Sequence, residues 1–305
     1  MQKILKVFLI LNLVFAGTVQ VYGKDPFNTK DRHTSTPPLA CPTPGSYTIG
    51  PAGDYVSIGV ALSELASCPS LTGAYIFEFT STYNSTVETF PVTIPNFTGS
   101  SAANTITFRP QLGATALSIT SANTTGTLLF DGGDYIIFDG RPGGVGTAKE
   151  LTIQNTNAGN SYAMRFVNDA THNNISYCVV RSANNNAAGA TIILSGTNGT
   201  EGNDHIIIDN NDIRDVSLVA TPNNAILSAG STGTPALYNN NIVISNNNIL
   251  NFYNTTGNIA GVIATQGSSD WIISGNNFNH TFSGTPKSIS GSFSVIDAYN
   301  SQMEN

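Results

Sequence analysis

Charge is what this chain has least of. Of its 305 residues, 12 are Lys or Arg and 19 are Asp or Glu, 10% together, against roughly 25% in an ordinary soluble domain. Solubility must therefore come from Asn, Thr, Ser and Gly. The balance is acidic, with a net charge of −7 and a pI near 4.9. No basic surface is available to neutralise phosphates, which excludes nucleic acid and anionic membrane surfaces as partners. Cysteine is also scarce, and three residues cannot build a disulfide framework. Cys41 and Cys68 can pair in an oxidising compartment, pinning the N-terminal segment to a first helix, or remain apart. Cys178 reads as a buried thiol acting as a small hydrophobe. No Cys-x-x-Cys or Cys/His set has zinc spacing, and His33, His172, His205 and His280 are scattered. The sole tryptophan, Trp271, and Tyr253 offer sugar-stacking surfaces, or rim packing.

Long apolar runs are missing too, except at the start. Val7–Ala16 follows Lys3 and Lys6 and precedes the small residue Gly23. That pattern predicts a signal peptide over residues 1–23, since the run is too short to cross a bilayer. The mature chain is expected to be secreted or cell-surface, soluble and not membrane-spanning. Residues 24–46, rich in Pro, Thr and charge, read as a linker, and 47–305 as one array.

What the chain has instead is repetition. NNISYCVVR (173–181), HIIIDNNDIR (205–214), NIVISNNNIL (241–250) and WIISGNNFN (271–279) share one pattern. An aliphatic residue (Ile175, Ile208, Ile244, Ile273) is followed three positions on by Cys178, Asn211, Asn247 or Asn276. An apolar residue (Val180, Ile213, Ile249, Phe278) closes the motif two further on. A period of this size marks a solenoid in which each repeat buries its apolar face against its neighbours. Each repeat also carries a second strand, AMRFV (163–167), ATIILSG (190–196), AILSAG (225–230) or GVIATQG (261–267), so two strands per unit are expected. Stacked rungs lie about 4.8 Å apart, so an inward amide at a bend can hydrogen-bond to the rungs above and below. Paired Asn residues also form tight turns. One helix is expected near 58–66, capped by Ser57 and covering the open end of the stack with Ile58, Ala61, Leu62 and Leu65.

GDYVSIGVALSEL, IFEFTSTY, TFPVTIPNF, NTITFRP and the later rungs resemble the right-handed parallel β-helix (pectin-lyase-like) family. More narrowly, they resemble secreted β-helix regions of large surface proteins of the Bacteroidetes type. The likeness covers residues 47–300. It implies an all-β, right-handed parallel β-helix solenoid with an N-terminal capping helix. Function does not follow, because this fold carries enzymes, adhesins and structural modules. The final apolar strand, with Val295 lying 33 residues after Val262, predicts a solenoid open at its C-terminal end. Continuation into further modules, or docking on another subunit, is expected there.

Alternation places His205, Asp209, Asp212 and Arg214 outward on one rung, with His172, Ser176, Val179 and Arg181 one rung earlier. With Asp215 they form the richest ionisable patch. Family members place calcium-binding carboxylates and a basic proton acceptor on an outer face. The resemblance thus points to Asp209, Asp212 and Asp215 as calcium ligands, with Arg214, Arg181 and His205 as catalytic candidates. Calcium takes six to eight oxygens, and only one rung has clustered Asp, so a solvated surface network is the competing reading. Asp131, Asp134 and Asp139 read as turn formers, with paired carboxylates for glycoside hydrolysis as the competing reading, and GRPGGVGTAKE as a loop. The expected function is a structural, adhesive or glycan-binding surface module presenting an Asn/Thr/Ser-rich face to polysaccharide. The alternative is a polysaccharide lyase or glycoside hydrolase acting around Asp209, Asp212 and Arg214.

Overall fold

A computed structural model describes residues 40–255, 258–281 and 292–298. The predicted signal peptide and most of the predicted linker lie outside these residues. The described chain is a parallel β-solenoid. Three strands form each regular rung, stacked into a first sheet of eight strands, a second of six and a third of seven. The two-strand expectation was one short, because the Asn-bearing motif is itself two strands around a bend. Asn174–Ser176 joins the first sheet and Cys178–Ser182 the second.

Stacking in register turns the sequence repeat into columns. In the first sheet, Tyr47, Phe77, Phe108 and Phe138 are successive partners, continued by Ile175, Ile208, Ile244 and Ile273. Ring centroids along the aromatic part are 5.9, 5.3 and 5.0 Å apart, within the range for favourable offset stacking. Phe130 and Phe166 stack likewise in the third sheet, at 4.3 Å.

The bend between the first and second sheets carries the expected amide ladder. Asn211 Oδ1 accepts the Cys178 backbone N–H at 2.8 Å. Asn247 Oδ1 accepts both the backbone and the side-chain N–H of Asn211, at 2.8 and 3.1 Å. Asn276 does the same for Asn247, at 2.9 Å each. Each Nδ2 also donates to a carbonyl of the preceding rung, that of Ile175, Ile208 or Ile244. The turn reading holds as well, one residue earlier: Tyr177, Asn210 and Asn246 have φ of 52°, 56° and 54°. Asn is the non-glycine residue that tolerates this left-handed region best. The two readings thus divide between adjacent residues.

The helix spans Ile58–Leu65, with Ser57 capping Val60 N–H and Ile58, Ala61, Leu62 and Leu65 buried. The Glu88 carboxylate accepts the Ile58 and Gly59 N–H groups at 2.7 and 3.2 Å, joining the helix start to the chain that leads into the third sheet. Cys41 and Cys68 form a disulfide, and Cys178 is a buried free thiol. In the last described strand, Phe293–Ala298, Val262 pairs with Ile296 and not with Val295. The period there is 34 residues (296 − 262), close to the 33 expected.

Replacing Asn247 by Ala should lower the unfolding free energy by about 2–4 kcal/mol, because it strands the Asn211 N–H and the Ile208 carbonyl and opens a small void. Asn277→Ala, one position beyond the ladder residue Asn276 and exposed, should change it by less than about 0.5 kcal/mol. Urea unfolding followed by circular dichroism measures both.

Candidate functional site

The outer surface at the first bend holds most of the predicted residues. Asp209 ends a first-sheet strand and Asp212 begins the second-sheet strand beyond the bend. Asp209 accepts from Ser245 Oγ at 2.6 Å, Asn246 Nδ2 at 2.9 Å and Asn210 Nδ2 at 2.6 Å. Burial works against its charge, but these three donors outweigh it and hold the carboxyl below its ordinary range. Asp212 is paired with Lys149 Nζ and accepts Asn248 Nδ2 at 2.8 Å. Lys149 was not among the predicted residues. It sits at the end of the glycine-rich loop that read as a plain connection, and only the stacking of distant rungs brings it to Asp212.

The same row extends towards the N-terminus. Asp139 receives the Arg141 side chain through Nε and a terminal nitrogen, at 2.9 and 2.8 Å, and the Arg141 guanidinium lies 4.4 Å over the Tyr177 ring. Glu78 and Arg109 pair at 2.8 Å on earlier rungs. Towards the C-terminus the row becomes neutral: Ser245, Asn246, Asn248, Ser274 and Asn277, each at least partly exposed.

Four predicted members do not belong to this row. Asp215 faces inward and is buried, accepting from Asn251 Nδ2 at 2.9 Å. Arg181 and Arg214 lie in register on the outer face of the second sheet. His205 lies two residues before the strand that Asp209 ends, at another corner of the rung. The expected single patch is therefore split across three places on the surface, with Asp215 in the interior. Asp209, Asp212 and Asp215 do not converge, and among the described residues no three His, Cys, Asp or Glu side chains form a metal-binding group. The donor set does not fit calcium as it stands.

His205 instead belongs to a stack at the corner between the third and first sheets. Tyr135, His172 and His205 all have left-handed φ of 55–57°. Their rings stack at 4.5 and 4.4 Å, with interplanar angles of 12° and 4°. Beneath them sit carboxylates that the sequence reading did not connect. Asp134 accepts the Thr171 N–H and hydroxyl at 2.7 and 3.0 Å, and Asp204 accepts the Asn240 N–H at 2.7 Å. Burial, then the charge of His205, disfavours the His172 cation. Burial, helped by Glu201 and Asp169, pushes the Asp204 carboxyl up to about 6 against the Asn240 N–H.

No family model matches the chain, and no curated protein matches it in sequence. Among solved structures, a pectin methylesterase from Aspergillus niger matches at 15% identity and a TM-score of 0.28, covering 90% of this chain and 88% of that one. At that score the likeness adds nothing to the strand registers, on which the fold rests.

Asp204 gives a pH test. With a native value about 6 and an unfolded value of about 3.9, the native state binds more protons between the two. Asp204 therefore makes stability fall as pH rises through this window. Asp204→Asn keeps an acceptor for Asn240 and removes the titration. The Tm of the variant relative to the unsubstituted protein should rise between about pH 4 and pH 7, and an unchanged difference would contradict it.

Proposed function

We propose that this chain is a secreted or cell-surface β-helix module that binds an extended glycan along the bend between its first and second sheets, without turning it over. One observation carries the reading. The bend carries outward amides and hydroxyls on its last two described rungs, from Ser245 to Asn277, while the carboxylates of the rung before are already satisfied by their neighbours. A polymer with regularly spaced hydroxyls can be matched by a row whose donors and acceptors recur about every 4.8 Å. The low charge of the chain suits recognition by neutral hydrogen bonds, and the guanidinium-stacked Tyr177 ring supplies a flat surface beside the row.

Catalysis by general acid and base needs a carboxyl and a base free to exchange protons with substrate. Asp209 is held ionised by three donors and Asp212 is paired with Lys149, which favours binding over turnover. The supporting features are a surface row and its satisfied charges, and the family likeness contributes no residue to this reading.

A glycan-array screen of the chain, run with a product assay on polyuronates with and without calcium, tests it. Binding without product is expected. Asn248→Ala with Asn277→Ala should weaken binding about five-fold or more, the loss of about one net hydrogen bond or above. Calcium-dependent release of unsaturated products, abolished in Asp212→Ala, would make the protein a lyase and overturn the module reading.

A further inference from the structure

Two guanidiniums lie side by side on the second sheet with too little negative charge around them. Arg181 and Arg214 are partners on adjacent strands, about 4.8 Å apart at the backbone. Arg214 reaches one carboxylate, Asp215, through Nε at 3.3 Å. That carboxylate is turned inward and shares the same oxygen with Asn251. Arg181 makes no hydrogen bond or ion pair with the described residues, and its Nε is buried without a partner. The nearest outward carboxylate on the Arg214 strand, Asp212, is taken by Lys149. Gln154 is the register partner of Arg181 on its other side, and its amide already donates to Thr120 Oγ1 at 3.0 Å.

This arrangement costs free energy in the unliganded protein. Burial and the neighbouring Arg214 charge disfavour the Arg181 cation and the Asp215 charge offsets them only in part, yet arginine keeps its proton at any physiological pH. An oxyanion between the two forks would relieve the repulsion and fill the empty donors at once, and guanidinium geometry suits a planar or tetrahedral oxyanion. A densely charged polyanion is disfavoured by the net charge of −7. An isolated anion on an otherwise neutral chain is not.

We infer that Arg181 and Arg214 form a binding site for a single oxyanion carried by a glycan, one oxygen directed to each guanidinium. The inference rests on the glycan-binding reading and narrows it to sugars bearing a carboxylate or a sulfate ester. Two strand positions along from the row that begins at Asp212, the site lies beside the proposed polymer track, so a sugar on that track can project an acidic substituent onto it.

The test compares the full chain with Arg181→Gln, Arg214→Gln and Arg165→Gln. Arg165 lies on the third sheet and hydrogen-bonds Ser195, so its substitution removes the same charge from another face. Calorimetric titration uses a neutral oligosaccharide, an oligouronate and a sulfated oligosaccharide, with circular dichroism checking each fold. The unsubstituted protein should bind at least one acidic oligosaccharide ten-fold or more tighter than the neutral one, and the acidic arm that binds identifies the anion. Either Arg181→Gln or Arg214→Gln should abolish that preference while leaving neutral binding intact, and Arg165→Gln should leave both unchanged. No preference for acidic sugars, or an equal loss in Arg165→Gln, overturns the anion site while sparing the module reading. Absence of binding to all three sugars overturns both.

Discussion

An amide buried at a bend has to find partners for two donors and an acceptor, and here the neighbouring rung supplies them. Asn211, Asn247 and Asn276 each satisfy the backbone of one rung with the side chain of the next. A chain that bends this tightly leaves its N–H groups pointing along the solenoid axis, where no strand pairing reaches them. Unpaired, each would cost about 1–3 kcal/mol. The tight bend, and with it the outward row that the bend presents, exists because the ladder removes that cost. Similar ties recur elsewhere: Asn203 to Asn239, and Asn224 to the Ala260 N–H.

The two halves of the stack meet this demand differently. Where the inward column is aromatic, from Tyr47 to Phe138, the matching bend positions are Leu117 and Leu151, and burial does the work. Where the column becomes Ile175, Ile208 and Ile244, the amides take over, and Cys178 stands at the changeover, capped by Asn211. The outer surface changes one rung later: ion pairs of Glu78 with Arg109, Asp139 with Arg141 and Asp212 with Lys149 give way beyond Asp212 to neutral amides and hydroxyls. The surface proposed to hold the glycan lies on the amide-supported half.

Much of the fold was legible in sequence because the motif is strict. The offset of Ile208 to Asn211 to Ile213 survives in every late rung, so the ladder, its inward direction and the helix face could be read directly. The third strand per rung was missed because the bend consumes only one or two residues, and a single apolar pattern runs through it. The site was harder. Alternation placed Asp209 and Arg214 outward correctly. Proximity in sequence put His205 and Asp215 in the same patch, whereas His205 sits at a different corner and alternation along Asp212–Asp215 turns Asp215 inward. Lys149 and the Arg141–Tyr177 pair depend on which loop folds over which rung, and no local pattern encodes that.

Every ladder amide turns its oxygen toward the preceding rung, and Asn211 and Asn247 each send one of their two amide N–H groups on to the following one. The dipoles therefore add head to tail, as peptide dipoles do along a helix. The bend thus carries a polarised wire of hydrogen bonds parallel to the axis, negative towards Cys178 and positive towards Asn276. Such a line is cooperative, since each added amide strengthens those before it. Growth of the stack in the C-terminal direction is thereby electrically distinct from growth in the other, and the solenoid has a polarity that its parallel strands alone do not give it.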